Sequence, residues 1–242
     1  MSSTKPLFSI IIPAHNEEKT LPSCIDAIRN QEGNLSYEII VVNNSSTDHT
    51  ENIARQLTAK VINEPRLGVG QARKTGTAQA IGQYITHIDA DTKLPPDYLS
   101  KVYQKFQNDQ RLVVLGGQMY YYDAPWWKNF LRPFVHWGAW FFVKIISKGK
   151  VGPMGHNMTF QKEIYDKTSG FDTALLYGED MDICRKLSDF GKVKLDMSLK
   201  CQVSIRRFVF DKLLWVYFLN FFYMIFLSKP YKNKLDLNKD QK

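Results

Sequence analysis

The chain has 242 residues, 44% of them hydrophobic and 23% charged, which excludes a disordered or coiled-coil protein and suits one large domain, alone or with an appendage. Its three cysteines lie far apart and include no Cys-x-x-Cys pair, so we expect a reducing compartment and neither structural zinc nor a secreted disulfide framework. The formal net charge of +8 is compatible with nucleic acid or an anionic membrane surface as a partner.

Predicted strands and helices alternate along the first half of the chain. β-Branched runs predict strands, and apolar residues at helical spacing predict helices. Starting with a strand, we expect alternating elements at 8–14, 19–30, 37–42, 49–58, 60–63, 70–81, 84–89, 95–108 and 112–115. The alternation implies βαβ units around a mostly parallel sheet, an α/β fold in which ligands bind beyond the carboxyl ends of the strands.

Polar segments follow three of these strands, at 15–17, 43–48 and 89–91, and are expected to converge on one crevice. Asp89 and Asp91 place two carboxylates on one turn, which is costly unless a cation lies beside them. Mg²⁺ and Mn²⁺ prefer such oxygen ligands and often bridge a diphosphate. The alternative is that these acids form an N-cap and turn before a helix.

A second acidic pair, Glu179 and Asp180, follows Gly178 and opens a predicted helix. The helix dipole stabilises acids in a first helical turn, which requires no catalytic role. A carboxylate in this place also suits a general base that deprotonates an acceptor hydroxyl. The spacing favours neither interpretation.

Basic and histidine side chains near the crevice give weaker signals. Arg73 could reach a phosphate, although a surface arginine is the commoner case. Arg206 and Arg207 form a similar pair, with contact to a membrane surface as the alternative. His87 lies inside a strand and indicates a structural role, whereas His156 could contact an acceptor or the metal, with a loop hydrogen bond as the alternative.

Taken together and in order, these segments resemble the family 2 glycosyltransferases of the GT-A fold. The resemblance covers residues 7–208 and depends on six motifs. They are Ile11–Glu18, Val41–Asp48, Gly70–Arg73, Asp89–Asp91, Gly170–Phe171 and Gly178–Asp180. It implies a Rossmann-like, nucleotide-binding, mostly parallel mixed sheet and an enzyme that inverts the anomeric configuration by direct displacement.

The resemblance also implies a role for each matching residue at the donor end. Asp91 would hold a divalent cation, Mg²⁺ or Mn²⁺, on the diphosphate of a nucleotide sugar, either UDP or GDP. Residues lining the nucleotide would be Pro13, Ala14, His15, Glu17, Asn43, Asn44, Arg73, Asp89 and Ala90.

At the acceptor end, the resemblance makes Asp180 the catalytic base, with Glu179 beside it. An acceptor phosphate would need little help from a base, whereas an acceptor hydroxyl would need Asp180. Candidates for the acceptor region are His156, Asn157, Arg206 and Arg207.

Two departures from the family pattern bear on the substrates. The family often has Asp-Asp after the second strand, where this chain has Asn43 and Asn44. An amide both donates and accepts hydrogen bonds, so this difference affects how the donor base is read. The segment from Gln202 to Phe208 is out of register with the Gln-x-x-Arg-Trp motif of processive relatives, which argues against a polymer synthase.

Two aromatic, basic regions contain all five tryptophans and predict contact with a membrane rather than with nucleic acid. Residues 126–150 contain five Lys or Arg and no acid, and apolar groups in 126–146 recur on one helical face. Residues 213–227 are apolar but short for a span and have basic flanks on both sides, which favours a re-entrant or interfacial hairpin. An apolar subdomain or a dimer interface is the alternative.

We therefore expect a catalytic domain at 1–208, with a membrane-interface insert at 125–150, and a hydrophobic segment with a basic tail at 209–242. Such an anchor suggests a lipid-borne acceptor, such as a polyprenyl phosphate, at the cytoplasmic face. A nucleotidyltransferase of related fold and a non-enzymatic, nucleotide-binding membrane scaffold are the alternatives.

Overall fold

The computed structural model describes residues 5–57, 60–130, 150, 155–175 and 178–207. Most of the predicted interfacial segment at 126–146, the whole of the apolar segment at 213–227 and the side chain of Arg207 lie outside these residues. Within the described ranges, no helix combines the length and the apolar character that crossing a membrane requires.

Each of the nine elements predicted for the first half is present. The strands are β1 Phe8–Ala14, β2 Tyr37–Asn43, β3 Lys60–Asn63, β4 Tyr84–Ile88, β5 Leu112–Tyr121, β6 Asn157–Gln161 and β7 Lys192–Val203. In the described part of the chain, the helices with both ends given are α1 Leu21–Arg29, α2 Thr50–Leu57, α3 Val69–Ala78, α4 Tyr98–Asn108, α5 Lys162–Tyr165 and α6 Glu179–Leu187, and residues 126–130 are also helical. A 3₁₀ turn at Ile205–Arg207 follows β7.

The seven strands form one mixed sheet in the order β3-β2-β1-β4-β6-β5-β7. The strands β1 to β4 run parallel, β5 is parallel to β7, and β6 is antiparallel to both β4 and β5. The register aligns Ala14 with Asn43 and Asn43 with Asn63. The carboxyl ends of these strands therefore lie level at one edge, where the polar segments begin.

Alternating side chains along β1 pack into two hydrophobic cores, one on each face of the sheet. Ile10 and Ile12 pack with residues of α1, α2 and α4, whereas Ile11 packs with residues of α3 and α6. A Cβ on Gly76 of α3 would lie 2.4 Å from the Cγ2 of Ile11 and 2.9 Å from that of Val42. Glycine is therefore needed for α3 to approach the sheet this closely, which fixes the position of the residues one turn earlier.

β5 runs six residues beyond its predicted end at 115. It continues because β7 pairs with it, with a shift in register between Gly117 and Gln118. A Cβ on Gly117 would lie 2.2 Å from the main-chain oxygen of Leu199, so the backbones touch at this irregularity. The extension carries the two strands past the sheet edge and beside the crevice.

Candidate active site

Arg73 lies at the centre of a buried acidic cluster. It is 3% exposed, its Nη1 is 2.5 Å from Glu179 Oε1, and its Nη2 is 2.9 Å from Asp89 Oδ1. Burial opposes its charge, yet Glu179, Asp89 and Asp180 raise the pKa of Arg73 overall. The alternative of a surface arginine is therefore wrong.

The helix α6 places Glu179 and Asp180 together in this cluster. It begins after Gly178, which adopts a left-handed conformation with φ of 86°, and both acids are buried. Asp180 Oδ2 accepts a bond from Gly155 N at 3.1 Å, and Asp180 Oδ1 accepts one from Met181 N at 2.8 Å. These bonds fix the direction of the Asp180 carboxylate.

Burial is also the largest cause of the raised pKa values of the two acids. Burial and Asp180 raise the pKa of Glu179 to about 7, although Arg73 opposes the shift. Burial raises the pKa of Asp180 as well, against the effect of Arg73. The carboxylate of Glu179 forms an ion pair with Arg73 and is therefore occupied within the cluster. Of the two acids, Asp180 is better placed to accept a proton from a ligand.

The turn that follows β4 brings Asp89 and Asp91 to the same edge. Thr92 N donates to Asp89 main-chain oxygen at 2.9 Å, which closes the turn around Ala90. The next helix begins only at Tyr98, with Asp97 at its N-cap. The alternative that Asp89 and Asp91 cap that helix is therefore wrong.

The chemistry of this turn fits a divalent cation. Burial and the charge of Asp89 raise the pKa of Asp91 to about 7, although Arg206 partly opposes the shift, so a cation beside the ionised carboxylate would stabilise it further. The described residues contain no group of three or more His, Cys, Asp or Glu that could hold a metal ion. Mg²⁺ is typically held by one or two carboxylates together with substrate phosphates, which is the donor set that Asp91 and a diphosphate would supply.

The segment after β1 forms the other end of the crevice. Pro13 and Ala14 pair with β2, and His15 Nδ1 donates to the main-chain oxygen of Asn44 at 2.7 Å. Glu17 is buried, and its Oε2 accepts bonds from Thr20 Oγ1 at 2.5 Å and from an arginine of the 3₁₀ turn. The contacts of these predicted nucleotide-binding residues thus keep the segment folded over the sheet edge.

The side-chain amides of Asn43 and Asn44 form hydrogen bonds with other parts of the protein. Asn43 Nδ2 donates to Glu51 and Asn63 at the end of β3. Asn44 Nδ2 donates to the main-chain oxygens of Glu64 and Arg66, at 3.0 and 2.8 Å. These bonds hold the segment after β3 at the crevice, a structural role that could not be predicted from the sequence.

The amide of Asn44 also holds the start of α3, because its Oδ1 accepts a bond from Gly68 N at 2.8 Å. Nearby, the buried carboxylate of Glu64 accepts bonds from Gln71 Nε2 at 3.0 Å and Thr75 Oγ1 at 2.5 Å. Together these contacts connect the second strand to the helix that carries the central arginine.

The predicted acceptor residues have different surroundings. His156 is buried, and its main-chain oxygen accepts a bond from Thr92 Oγ1 at 3.4 Å. Asn157 is fully buried at the start of β6, where Oδ1 accepts from Gly117 N and Nδ2 donates to Cys201 Sγ, both at 3.1 Å. Arg206, in contrast, is exposed at the crevice.

Gly155 is a site residue that the sequence did not indicate. A Cβ at this position would lie 2.1 Å from both Nη atoms of Arg73, so the guanidinium packs directly on the glycine backbone.

Comparison with known proteins assigns the family. Residues 9–168 match the model described as Glycosyl transferase family 2. The chain belongs to this family. The resemblance inferred from six sequence motifs is therefore confirmed, and a family of glycosyltransferases favours that activity over a nucleotidyltransferase or a non-enzymatic scaffold.

Similar proteins extend over most of this family 2 chain. AglE, a glycosyltransferase of Haloferax volcanii, is 26% identical over 79% of this chain and 64% of its own length. The dolichol-phosphate mannosyltransferase of Pyrococcus furiosus is 29% identical over 67% of this chain and 44% of its own length. The chain thus spans less than two thirds of these relatives.

The fold also matches that of a solved structure. The mannosyltransferase PcManGT from Pyrobaculum calidifontis, solved with GDP-Man and Mn²⁺, is 20% identical and gives a TM-score of 0.68. The match covers 88% of this chain and 60% of the other. The predicted GT-A fold is confirmed.

Proposed function

We propose that this family 2 glycosyltransferase moves a sugar from a UDP sugar or a GDP sugar to an acceptor at the cytoplasmic face of a membrane, and that this acceptor is a lipid or a polyprenyl phosphate. The observation that carries the proposal is the convergence of Asp89, Glu179 and Asp180 around buried Arg73 at one edge of the sheet, with Asp91 on the same turn as Asp89. A nucleotide site and a base are thereby brought together on a family 2 fold.

At the donor end, we assign Asp91 to a divalent cation and the segment after β1 to the nucleoside. The cation, Mg²⁺ or Mn²⁺, supplies neutralisation of the charge on the diphosphate leaving group. Glu17 and Asn44 keep the surrounding loops in place through the bonds described above. PcManGT contains GDP-Man and Mn²⁺, and its fold is shared by this chain.

At the acceptor end, we assign the general base to Asp180. Its two backbone bonds aim the carboxylate but leave lone pairs for an acceptor hydroxyl, because a carboxylate accepts about four hydrogen bonds. The raised pKa makes it a stronger base than an exposed aspartate. In-line attack with this base on the opposite side from the diphosphate inverts the anomeric carbon.

A patch of exposed aromatic side chains supports the membrane assignment. Trp126, Trp127 and Phe130 are 78%, 48% and 63% exposed, and Lys128 Nζ lies 5.5 Å from the ring centre of Trp127. Aromatic rings with adjacent cations and no acid are typical of surfaces that bind anionic lipid headgroups. A lipid acceptor also has a precedent among the relatives, since the protein of Pyrococcus furiosus is a dolichol-phosphate mannosyltransferase.

Release of free nucleotide tests the proposal. Detergent-solubilised protein is incubated with a panel of UDP and GDP sugars, with and without Mn²⁺ or Mg²⁺. Slow, metal-dependent release of UDP or GDP from one donor supports the proposal. Asp91→Asn should reduce release by about 100-fold or more, and Asp180→Asn should do so where water or a hydroxyl is the acceptor, while Asp166→Asn, at the exposed residue that follows α5, should not.

The acceptor is tested with the same variants. Asp180→Asn abolishes transfer to a hydroxyl acceptor, whereas transfer to a polyprenyl phosphate survives because the nucleophile is already ionised. Release from no donor, even with a lipid extract added, would contradict the proposal.

Vesicle binding tests the membrane assignment separately. The 242-residue chain should bind phosphatidylglycerol vesicles, and replacing Trp126, Trp127 and Phe130 together by alanine should weaken binding. Phe190→Ala removes a similarly exposed ring elsewhere and is the matched control. Equal binding by the triple variant and the control would remove the patch from the proposal.

A further inference from the structure

Arg206 extends a half-exposed guanidinium across the crevice. Its side chain is 43% exposed, and Nη2 donates to Glu17 Oε2 at 2.5 Å. Glu17 is buried and also accepts the bond from Thr20. This ion pair joins the segment after β1 to the 3₁₀ turn 189 residues later.

The backbone of Arg206 is fixed as well. Asp123 Oδ1 accepts from Ile205 N at 2.7 Å, and Asp123 Oδ2 accepts from Ser204 Oγ at 2.5 Å. Ser204 Oγ in turn accepts from Arg206 N at 3.2 Å. With both the turn and the guanidinium held, little conformational freedom is left for the side chain to lose when it binds an anion.

The segment that leads into Arg206 also contacts the chain just after the carboxylate turn that follows β4. Lys93 N donates to the main-chain oxygen of Gln202 at 2.7 Å, which pairs the end of β7 with the residue two positions after Asp91. Arg206 is therefore bound to Glu17, at the nucleoside end, and follows a strand end that is paired next to Asp91, at the metal end. In the proposed function, the diphosphate occupies the space between these two ends.

Arg73, which the family resemblance places at the base or the diphosphate of the donor, already binds other protein groups. Its two Nη atoms bind Glu179 and Asp89, and its guanidinium packs on Gly155. A phosphate would have to break a buried ion pair to reach it. Of these two arginines, Arg206 alone offers exposed donors to a ligand.

We propose that Arg206 binds the diphosphate of the donor and that Glu17 is the residue that positions its guanidinium. The inference depends on the proposed function, since the ligand is the donor nucleotide. An arginine carries five N–H donors in a planar fork, so the bond to Glu17 leaves others for phosphate oxygens.

This contact has a defined task during transfer. As the anomeric C–O bond breaks, its electron pair goes to the β-phosphate oxygen, while the acceptor oxygen forms the new bond. A hydroxyl acceptor gives its proton to Asp180, whereas a phosphate acceptor attacks in its ionised form. Arg206 stabilises the negative charge that the leaving diphosphate gains, in addition to binding it in the ground state.

Calorimetric binding of nucleotides with Mg²⁺ tests this role without turnover. The probes are UDP, GDP and the corresponding monophosphates, because the ratio of diphosphate to monophosphate affinity isolates the β-phosphate contact. Arg206→Ala should lower diphosphate affinity by about 10- to 100-fold and leave monophosphate affinity nearly unchanged. Arg206→Lys should recover part of the loss.

Two further variants complete the experiment. Glu17→Gln should lower the ratio of diphosphate to monophosphate affinity by a smaller factor, because Arg206 is still present but its guanidinium no longer has the ion pair that positions it. Arg111→Ala, an exposed arginine at the amino end of β5, should leave the ratio at the wild-type value.

The outcomes separate this inference from the proposed function. If the wild type binds UDP or GDP and Arg206→Ala keeps the wild-type ratio, Arg206 does not contact the diphosphate. If the wild type binds neither diphosphate, the nucleotide site itself is wrong, and both proposals fall.

Discussion

Arg73 on α3 and Glu179 at the start of α6 form a buried ion pair with 2.5 Å between Nη1 and Oε1, although 106 positions separate them in the chain. The other Nη of Arg73 binds Asp89 after β4. One guanidinium therefore holds three segments of the candidate site at fixed separations. The site consequently depends on a buried charge that has to stay compensated.

Replacing Arg73 by methionine should destabilise the protein by about 3 to 5 kcal/mol, because Glu179 and Asp89 then lose their common cation. The double variant Arg73→Met/Glu179→Met should be more stable than Arg73→Met alone, since it also removes a buried acid. Urea unfolding of the two singles and the double measures this coupling.

The matched control for that cycle is Arg185→Met on the same α6 helix. Arg185 is partly exposed and pairs with Asp182 at 3.0 Å, so its loss should cost less than about 1 kcal/mol. A strictly additive cycle for Arg73 and Glu179 would show that the two side chains do not interact in solution.

Gly155→Ala should impair transfer more than it impairs folding. The new Cβ would overlap the guanidinium of Arg73, which two ion pairs prevent from moving aside, and the bond from Gly155 N to Asp180 would shift. We expect kcat to fall by about 10-fold or more, because small displacements of a base have large effects on rate.

Gly70→Ala is the control for this substitution. Its Cβ would meet Glu179 Cβ at 3.4 Å, an ordinary contact, and alanine favours the helix that contains it. Nucleotide release and thermal unfolding are measured for both variants. Equal kcat values for Gly155→Ala and the wild type would show that the guanidinium has room to move.

Local sequence signals predicted the strands and helices well. β1 at 8–14 and β3 at 60–63 were predicted with the bounds that the structure has, because β-branched runs there end at polar or turn-forming residues. The convergence of the three polar segments also followed from the carboxyl-end rule for parallel sheets.

Long-range contacts account for what the sequence could not show. β5 continues to Tyr121 because of its pairing with β7, which comes about 80 residues later in the chain. The burial of Arg73 requires Glu179 from a distant helix, so a surface position was the default expectation. No local pattern encodes either contact, since both arise only when the sheet has formed.

Asn44→Asp should destabilise this chain, although the family often has an acid at this place. The amide donates to the main-chain oxygens of Glu64 and Arg66, and a carboxylate can only repel them. The expected loss is about 2 to 4 kcal/mol in urea unfolding, for two lost buried bonds. Asn34→Asp, at an exposed turn, should change stability by less than about 0.5 kcal/mol. If Asn44→Asp leaves the stability unchanged, the segment after β3 can rearrange to accommodate the carboxylate.

The stability that Glu64 contributes should depend on pH. Burial raises the pKa of its carboxyl, but bonds from Thr75, Arg66 N and Gln71 outweigh burial and lower the pKa from 4.5 to about 2. Because the folded state binds the ionised form, this contribution is complete above pH 4.5 and disappears as pH falls towards 2. By linkage it amounts to about 3 kcal/mol.

The comparison of wild type with Glu64→Gln isolates this contribution from other titrating groups. Urea unfolding should show a gap of about 2 to 3 kcal/mol at pH 7 that narrows steadily between pH 4.5 and pH 2. Glu163→Gln removes an exposed acid paired with Lys167 and should give a small gap at every pH. If the gap for Glu64→Gln is the same at pH 7 and pH 3, the ionised carboxylate does not hold the segment after β3, and the neutral amide serves equally well.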